Sequence, residues 1–281
     1  MPDVEPWMCP CCAIVVDTRY CSTCGERPTR LRDQTLRGLL EQLFQAVTSI
    51  DGRLLRSLRS LLLRPGALTV AYVQGLRLPY LGPVSLFFMA NVLFFATESL
   101  MGGKVFTTPL ESHLHTQPWS AFVGGMVSER METARTTIDL YAPTFDRVLA
   151  RNARSLIILM ALSFAFLPAL VFRREKRPAA VHAVFALHVY AFLLLLLSFG
   201  TTIPAVDLRL GGAGFASERL DHVIALGAVC ACAVYLYFAT ATVYGTRGGM
   251  RALETVVLTA GMVCIVLGYR FALFLTTLYM T

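Results

Sequence analysis

The chain has 281 residues, of which 56% are hydrophobic and 15% charged, with a formal net charge of +7. Soluble domains carry roughly 25% charged residues, so this composition excludes an ordinary water-soluble globular domain. The apolar surplus falls in runs close to the ~20 residues that cross a bilayer, whereas the stretch before residue 81 is polar, arginine-rich and cysteine-bearing.

Met1 to Pro10 has neither a basic start nor an apolar core, so no cleavable signal peptide is expected at this end and the later apolar runs must direct insertion. Residues 9–24 read CPCCAIVVDTRYCSTC and hold five of the eight cysteines. Cys9-x-x-Cys12 and Cys21-x-x-Cys24 are two knuckles of the kind that place four thiolates around one tetrahedral zinc. Gly25 after the second pair permits a tight turn, and Ala13 stands at the equivalent place in the first. Cys11 is a spare thiol. The segment is too short for a core of its own, so structural zinc would supply its folding energy. A four-thiolate set also suits an iron–sulfur cluster, and the plain alternative is a redox pair or an unstructured tail. Cys230, Cys232 and Cys264 lie inside apolar runs, where a lone cysteine behaves as a small hydrophobe. The head is taken as residues 1–30.

Over 31–80 leucine-class residues recur at steps of three and four: Leu36, Leu39, Leu40, Leu43, Phe44 and Val47, then Leu54, Leu55, Leu58, Leu61 and Leu62. That is the period of one helix face. Asp51-Gly52 separates two helices, with Ser49 or Asp51 capping the second, and Pro65-Gly66 ends it. Arg53, Arg56, Arg59 and Arg64 populate its polar side, the pattern of helices that lie in a membrane interface against lipid phosphate.

Residues 81–281 read as an all-α transmembrane bundle of about five spans, at roughly 81–100, 154–172, 179–204, 222–244 and 253–278. Pro168 kinks the second. The gap at 101–153 is expected to be an outer loop, broken by Pro109, Pro118 and Pro143. The short basic loop Arg173-Arg174-Glu175-Lys176-Arg177, together with Arg247 and Arg251, puts those loops and the N-terminus in the cytoplasm and the C-terminus outside. Arg147, Arg151 and Arg154 argue the other way, but long loops weigh less in this rule.

An ordered set of motifs resembles one known family. Cys9-x-x-Cys12 and Cys21-x-x-Cys24-Gly25 are followed by Asp51-Gly52-Arg53-Leu54-Leu55, Leu62-Leu63-Arg64-Pro65-Gly66 and Tyr72-Val73-Gln74-Gly75-Leu76-Arg77. Tyr80 and Pro83, then His182-Ala183-Val184-Phe185-Ala186-Leu187-His188, and finally Tyr269-Arg270 complete the set. Together these resemble the bacterial 3667 family of domains of unknown function. The resemblance implies a zinc-ribbon, multi-pass protein of the bacterial inner membrane, and it brings no activity with it.

Ionisable groups within a bilayer are costly and serve as functional candidates. Asn91 and Glu98 share one face of the first span, and Arg270 in the last span reaches a depth similar to that of Glu98. A Glu98–Arg270 ion pair is one reading, and a hydrated Glu98 at the span boundary is the other. His188 lies about a third of the way into the third span, with His182 nearer its start. Two haem-ligating histidines at matched depth on facing helices are not evident. The His113-x-His115 pair is expected in a solvated loop, and Gly211-Gly212-Ala213-Gly214 reads as flexible.

No phosphate-binding loop, zinc-protease or nucleophile-elbow motif occurs, so the chain is expected not to be an enzyme. The first reading is a membrane scaffold or assembly protein whose ribbon docks a cytoplasmic partner and whose basic helix meets membrane lipid. The second is a small transporter or channel with Asn91, Glu98, His188 and Arg270 along a polar path. Nucleic acid is disfavoured because the head's arginines are interleaved with acids and aromatic platforms are scarce. A homo-oligomer stays open.

Overall fold

The computed structural model describes residues 6–9, 14–18, 21, 23, 52–76, 79–102, 105–133 and 135–281. The chain divides into two compact units, one of residues 1–58 and 76–81, the other of 59–75 and 82–281.

In the first unit, β1 (Trp7–Met8) and β2 (Val15–Val16) form an antiparallel hairpin with Trp7 opposite Val16 and Met8 opposite Val15. The unit also takes in the start of α1 (Gly52–Leu63). There Ser57 Oγ accepts a bond from the Leu81 amide at 2.8 Å, tying the segment before the first span to the helix. The helix expected around Leu36 to Val47, and its break at Asp51, lie outside the described residues.

The second unit is entirely helical among the described residues. After the rest of α1 come α2 (Ala67–Val73) and α3 (Pro83–Met101). Three helices outside the long apolar runs follow: α4 (Leu110–His115), α5 (Ser120–Thr133) and α6 (Ile138–Leu156). Then come α7 (Ile158–Val171), α8 (Ala179–Arg209), α9 (Glu218–Tyr244) and α10 (Gly248–Met280). The expected loop at 101–153 is therefore a small helical layer. Its core stripe is Tyr141, Phe145, Leu149 and Ala153, all buried at steps of four. The prolines drew attention to breaks and hid that stripe.

Among the described residues four helices are long and apolar enough to cross a membrane: Pro83–Met101, Ala179–Arg209, Arg219–Tyr244 and Gly248–Met280. The expected second span is shorter. Its apolar part is Leu159–Val171, which at 1.5 Å per residue falls well short of a hydrocarbon core of roughly 30 Å. Ile157, which links α6 to α7, keeps right-handed helical angles (φ −60°, ψ −28°), so the two helices run on with only a local break.

Helix α8 organises the bundle, packing against α2, α3, α7 and α9, while α10 packs against α6, α7 and α9. Two thirds of the apolar window of α8 is buried, as expected for a helix that is hydrophobic all round. The short α2 is also bundle material, with Leu68, Thr69 and Ala71 buried against α8 and α9. The glycine loop after α8 is anchored as well. Asp207 Oδ2 accepts from the Gly214 amide at 2.9 Å, and the Gly212 amide donates to the Asp207 carbonyl at 2.9 Å. The run at 211–214 is glycine-rich because the chain folds tightly back over a carboxylate.

Candidate functional site

In the head, Cys9 closes β1, and its amide donates to the Ile14 carbonyl at 2.9 Å across the hairpin. The Trp7 indole donates to the Thr18 carbonyl at 2.9 Å. Cys9, Cys21 and Val16 are buried in one small cluster, with Trp7 packed on it. Two of the four cysteines named from spacing are thus brought to one place, while Cys12 and Cys24 lie outside the described residues. Among the described residues no three His, Cys, Asp or Glu side chains are grouped as a metal site. The donor chemistry fits a thiolate-held metal to this extent: two thiols from separate segments of the chain, Cys9 and Cys21, are buried in one cluster.

Within the bundle the polar groups fall in two places. The first begins with the turn at Arg64-Pro65-Gly66. Gly66 has φ 83°, and a Cβ there would lie 2.9 Å from the Ala239 carbonyl oxygen and from Thr242 Cβ on α9. Only glycine supplies both the left-handed conformation and the close approach. The turn delivers α2 so that Thr69 Oγ1 lies 2.9 Å from His188 Nδ1, both residues being buried. One turn and a half earlier on α8, His182 Nδ1 lies 2.9 Å from the Tyr244 hydroxyl. His188 and His182 therefore each serve one hydroxyl partner. Replacing Thr69 by Val is expected to strand the His188 ring nitrogen and cost about 1–2 kcal/mol. Thr69→Ser should retain most of that, as read from thermal unfolding in detergent.

The second place is at the other end of α3. Asn91 and Glu98 lie on its buried face along with Phe87, Phe94 and Phe95. Glu98 Oε1 accepts from the Phe106 amide at 3.3 Å. Arg270 Nη2 donates to Thr108 Oγ1 at 2.7 Å, while its Nε is buried without a hydrogen-bond partner. The guanidinium's bond thus goes to Thr108, and the two charged residues hold Phe106 and Thr108, two residues apart in the connection between α3 and α4. Tyr269, beside Arg270, donates to the Ala153 carbonyl at 2.7 Å and meets Phe106 edge to face. Thr108 and Tyr244 had no signal in the sequence beyond being polar residues near apolar runs, and Tyr269 stood there only as part of the Tyr269-Arg270 motif.

His113 was expected to be solvated, yet it is 1% exposed. The Trp119 indole donates to its Nδ1 at 3.2 Å, and Phe274 packs on the ring. His115 is exposed, because residues two apart point to different sides of a helix, so the pair does not converge on a metal. Burial, aided by the positive charge of Arg270, lowers the His113 pKa to about 4, with a backbone bond at Thr108 partly opposing the shift. The unfolded chain takes up this proton near pH 6.5 and the folded protein resists it. Stability is therefore expected to be level above pH 6.5 and to fall between pH 6.5 and 4, by up to about 3 kcal/mol. Thermal unfolding across that range checks this, and His113→Asn should flatten this part of the profile.

A family model, Protein of unknown function (DUF3667), matches residues 51–95. That stretch contains α1, the Gly66 turn, Thr69 and Asn91. No curated protein and no solved structure matches the chain.

Proposed function

With membership of the DUF3667 family supported by the match over residues 51–95, we propose that the chain is a non-enzymatic membrane scaffold. In this reading it sits in a bacterial inner membrane and presents its N-terminal head to a cytoplasmic protein partner. Cys9, Cys12, Cys21 and Cys24 would hold zinc, which when bound crosslinks the head into a rigid platform. The basic connections at 173–177 and 247–251 support a cytoplasmic N-terminus. With α6 and α7 running on through Ile157 as one further crossing, the C-terminus lies outside.

The observation that favours a scaffold over a transport path is how the bundle's polar groups are used. His188 is 3% exposed and Glu98 4% exposed, and His188, His182, Glu98 and Arg270 each bond a neighbouring residue within a short packed cluster. A path needs polar groups that face a common wet space and exchange partners.

The test is crosslinking in cells combined with reconstitution. A defined cytoplasmic partner should be captured by the native protein and lost with Cys9→Ser or Cys21→Ser. Capture should survive Asn91→Leu and His188→Phe variants that still fold. Solute or ion flux in proteoliposomes that depends on Asn91, Glu98, His188 or Arg270 would instead establish the transport reading.

A further inference from the structure

The helix ends of α7, α8 and α9 meet at one face of the bundle. Phe172, which closes α7, stacks on Tyr244, the last residue of α9, with ring centroids 3.9 Å apart and planes 16° from parallel. The Tyr244 hydroxyl bonds His182 in the first turn of α8. The α7–α8 connection and the α9–α10 connection therefore leave from a single aromatic clamp. Glu175 lies in the first connection and Glu254 in the second turn of α10. The Arg64-Pro65-Gly66 turn joins the same face, because Gly66 packs on Ala239, Thr242 and Val243 in the last turns of α9.

These convergent turns carry Arg64, Arg173, Arg174, Lys176, Arg177 and Arg247, all exposed. Arg251 is already engaged, since its Nε donates to the Tyr237 carbonyl at 2.7 Å and its guanidinium lies 3.5 Å over the Tyr237 ring. Among the described residues of these turns and the start of α10, the acids are Glu175, which is exposed, and Glu254, which is half-buried. Next to the basic face, exposed apolar side chains begin at once: Leu170 on α7, Phe238 on α9 and Met250 on α10. A soluble polyanion would need only the charges. A lipid needs this layering, with cations at headgroup level and an apolar wall beside the acyl chains.

We propose that this face is a binding surface for anionic phospholipid headgroups. The arginine forks and Lys176 engage lipid phosphates, and Leu170, Phe238 and Met250 line the adjoining chains. A guanidinium matches two phosphate oxygens at once, and several cations at a leaflet surface act together. The inference rests on the bundle lying in a bilayer and is separate from any partner of the head.

The test uses full-length protein in neutral detergent, titrated with phosphatidylglycerol or phosphatidylcholine and followed by native mass spectrometry and thermal unfolding. Phosphatidylglycerol should bind preferentially. The variant Arg173→Gln, Arg174→Gln, Lys176→Gln, Arg177→Gln should lose at least about tenfold of that selectivity while unfolding at the same temperature as the native chain in phosphatidylcholine. Replacing the three arginines by lysine should keep most of it, and high salt should weaken it. Unchanged selectivity in the glutamine variant would overturn the proposal. So would a stabilisation reproduced by inorganic phosphate alone, which would mark a free-anion site, or equal binding of the two lipids. Failure of the head to capture a protein would leave these outcomes untouched.

Discussion

Purified full-length protein is expected to carry one zinc ion per chain, and Cys9→Ser or Cys21→Ser to reduce that to background. Cys9 and Cys21 are buried together in a small cluster with Val16, on which a partly buried Trp7 packs, among the described residues. A segment as short as the head at residues 1–30 has too little apolar area of its own to repay the entropy of ordering it. Four-thiolate zinc contributes about 10–16 kcal/mol to folding in small zinc domains at neutral pH, which is the scale required. Chelation should therefore unfold the head selectively, seen as rapid proteolysis near residues 9–24 with the helical bundle intact. Metal content is read by plasma emission spectrometry, and the sulfur shell by X-ray absorption with zinc–sulfur distances near ~2.3 Å. Zinc-free protein with a protease-resistant head would remove the metal from the account. Serine at Cys11, the spare thiol, should leave the metal in place.

Gly66→Ala is expected to destabilise the bundle by about 2–5 kcal/mol, the second large effect. The left-handed backbone costs a residue with a Cβ about 1–2 kcal/mol. The new methyl would also press on a carbonyl oxygen and on Thr242 Cβ at 2.9 Å, and on Val243 Cγ2 at 3.1 Å, adding an overpacking cost of about 1–3 kcal/mol. Gly75 is the internal control. It has nearly the same φ, 81°, with nothing within 4 Å of its Cβ position, so Gly75→Ala should cost only the backbone portion, about 1–2 kcal/mol. Thermal unfolding of both variants in one detergent gives the comparison. Equal losses would mean that α9 yields to the methyl and that the close approach is not what Gly66 provides. A larger loss in Gly66→Ala should also go with a weaker Thr69–His188 contact, because the turn sets where α2 enters.

What the sequence carried plainly was periodicity and composition. Long apolar runs located α3, α8, α9 and α10, since crossing a bilayer demands length and apolarity that no soluble element needs. The three- and four-residue steps of Leu54 to Leu62 marked α1, and Arg64-Pro65-Gly66 marked its end. The same reasoning overestimated the run at 154–172, where apolar length is counted as if each run crossed alone. There the helix is assembled from the charged α6 and the short α7. It also passed over α4 to α6, because prolines and mixed charge outweighed a stripe whose members are four residues apart.

Spacing alone named Cys9, Cys12, Cys21 and Cys24, and depth counting named Asn91, Glu98, His188 and Arg270, because cysteine pairs and buried charges are chemically rare. Partners were another matter. Thr69 meets His188 across 119 positions of chain and Arg270 meets Thr108 across 162, and no local pattern encodes which hydroxyl lies opposite which ring or guanidinium. Tertiary packing alone decided that α2 enters the bundle and that His113 is a core residue. It also decided that Glu98 and Arg270 grip a shared connection, and that Arg64 joins the two basic loops at one face. The physical reason is range: helix formation and bilayer partition act within a segment, whereas a hydrogen-bond partner is chosen by helices that settle against each other only when the whole bundle is formed.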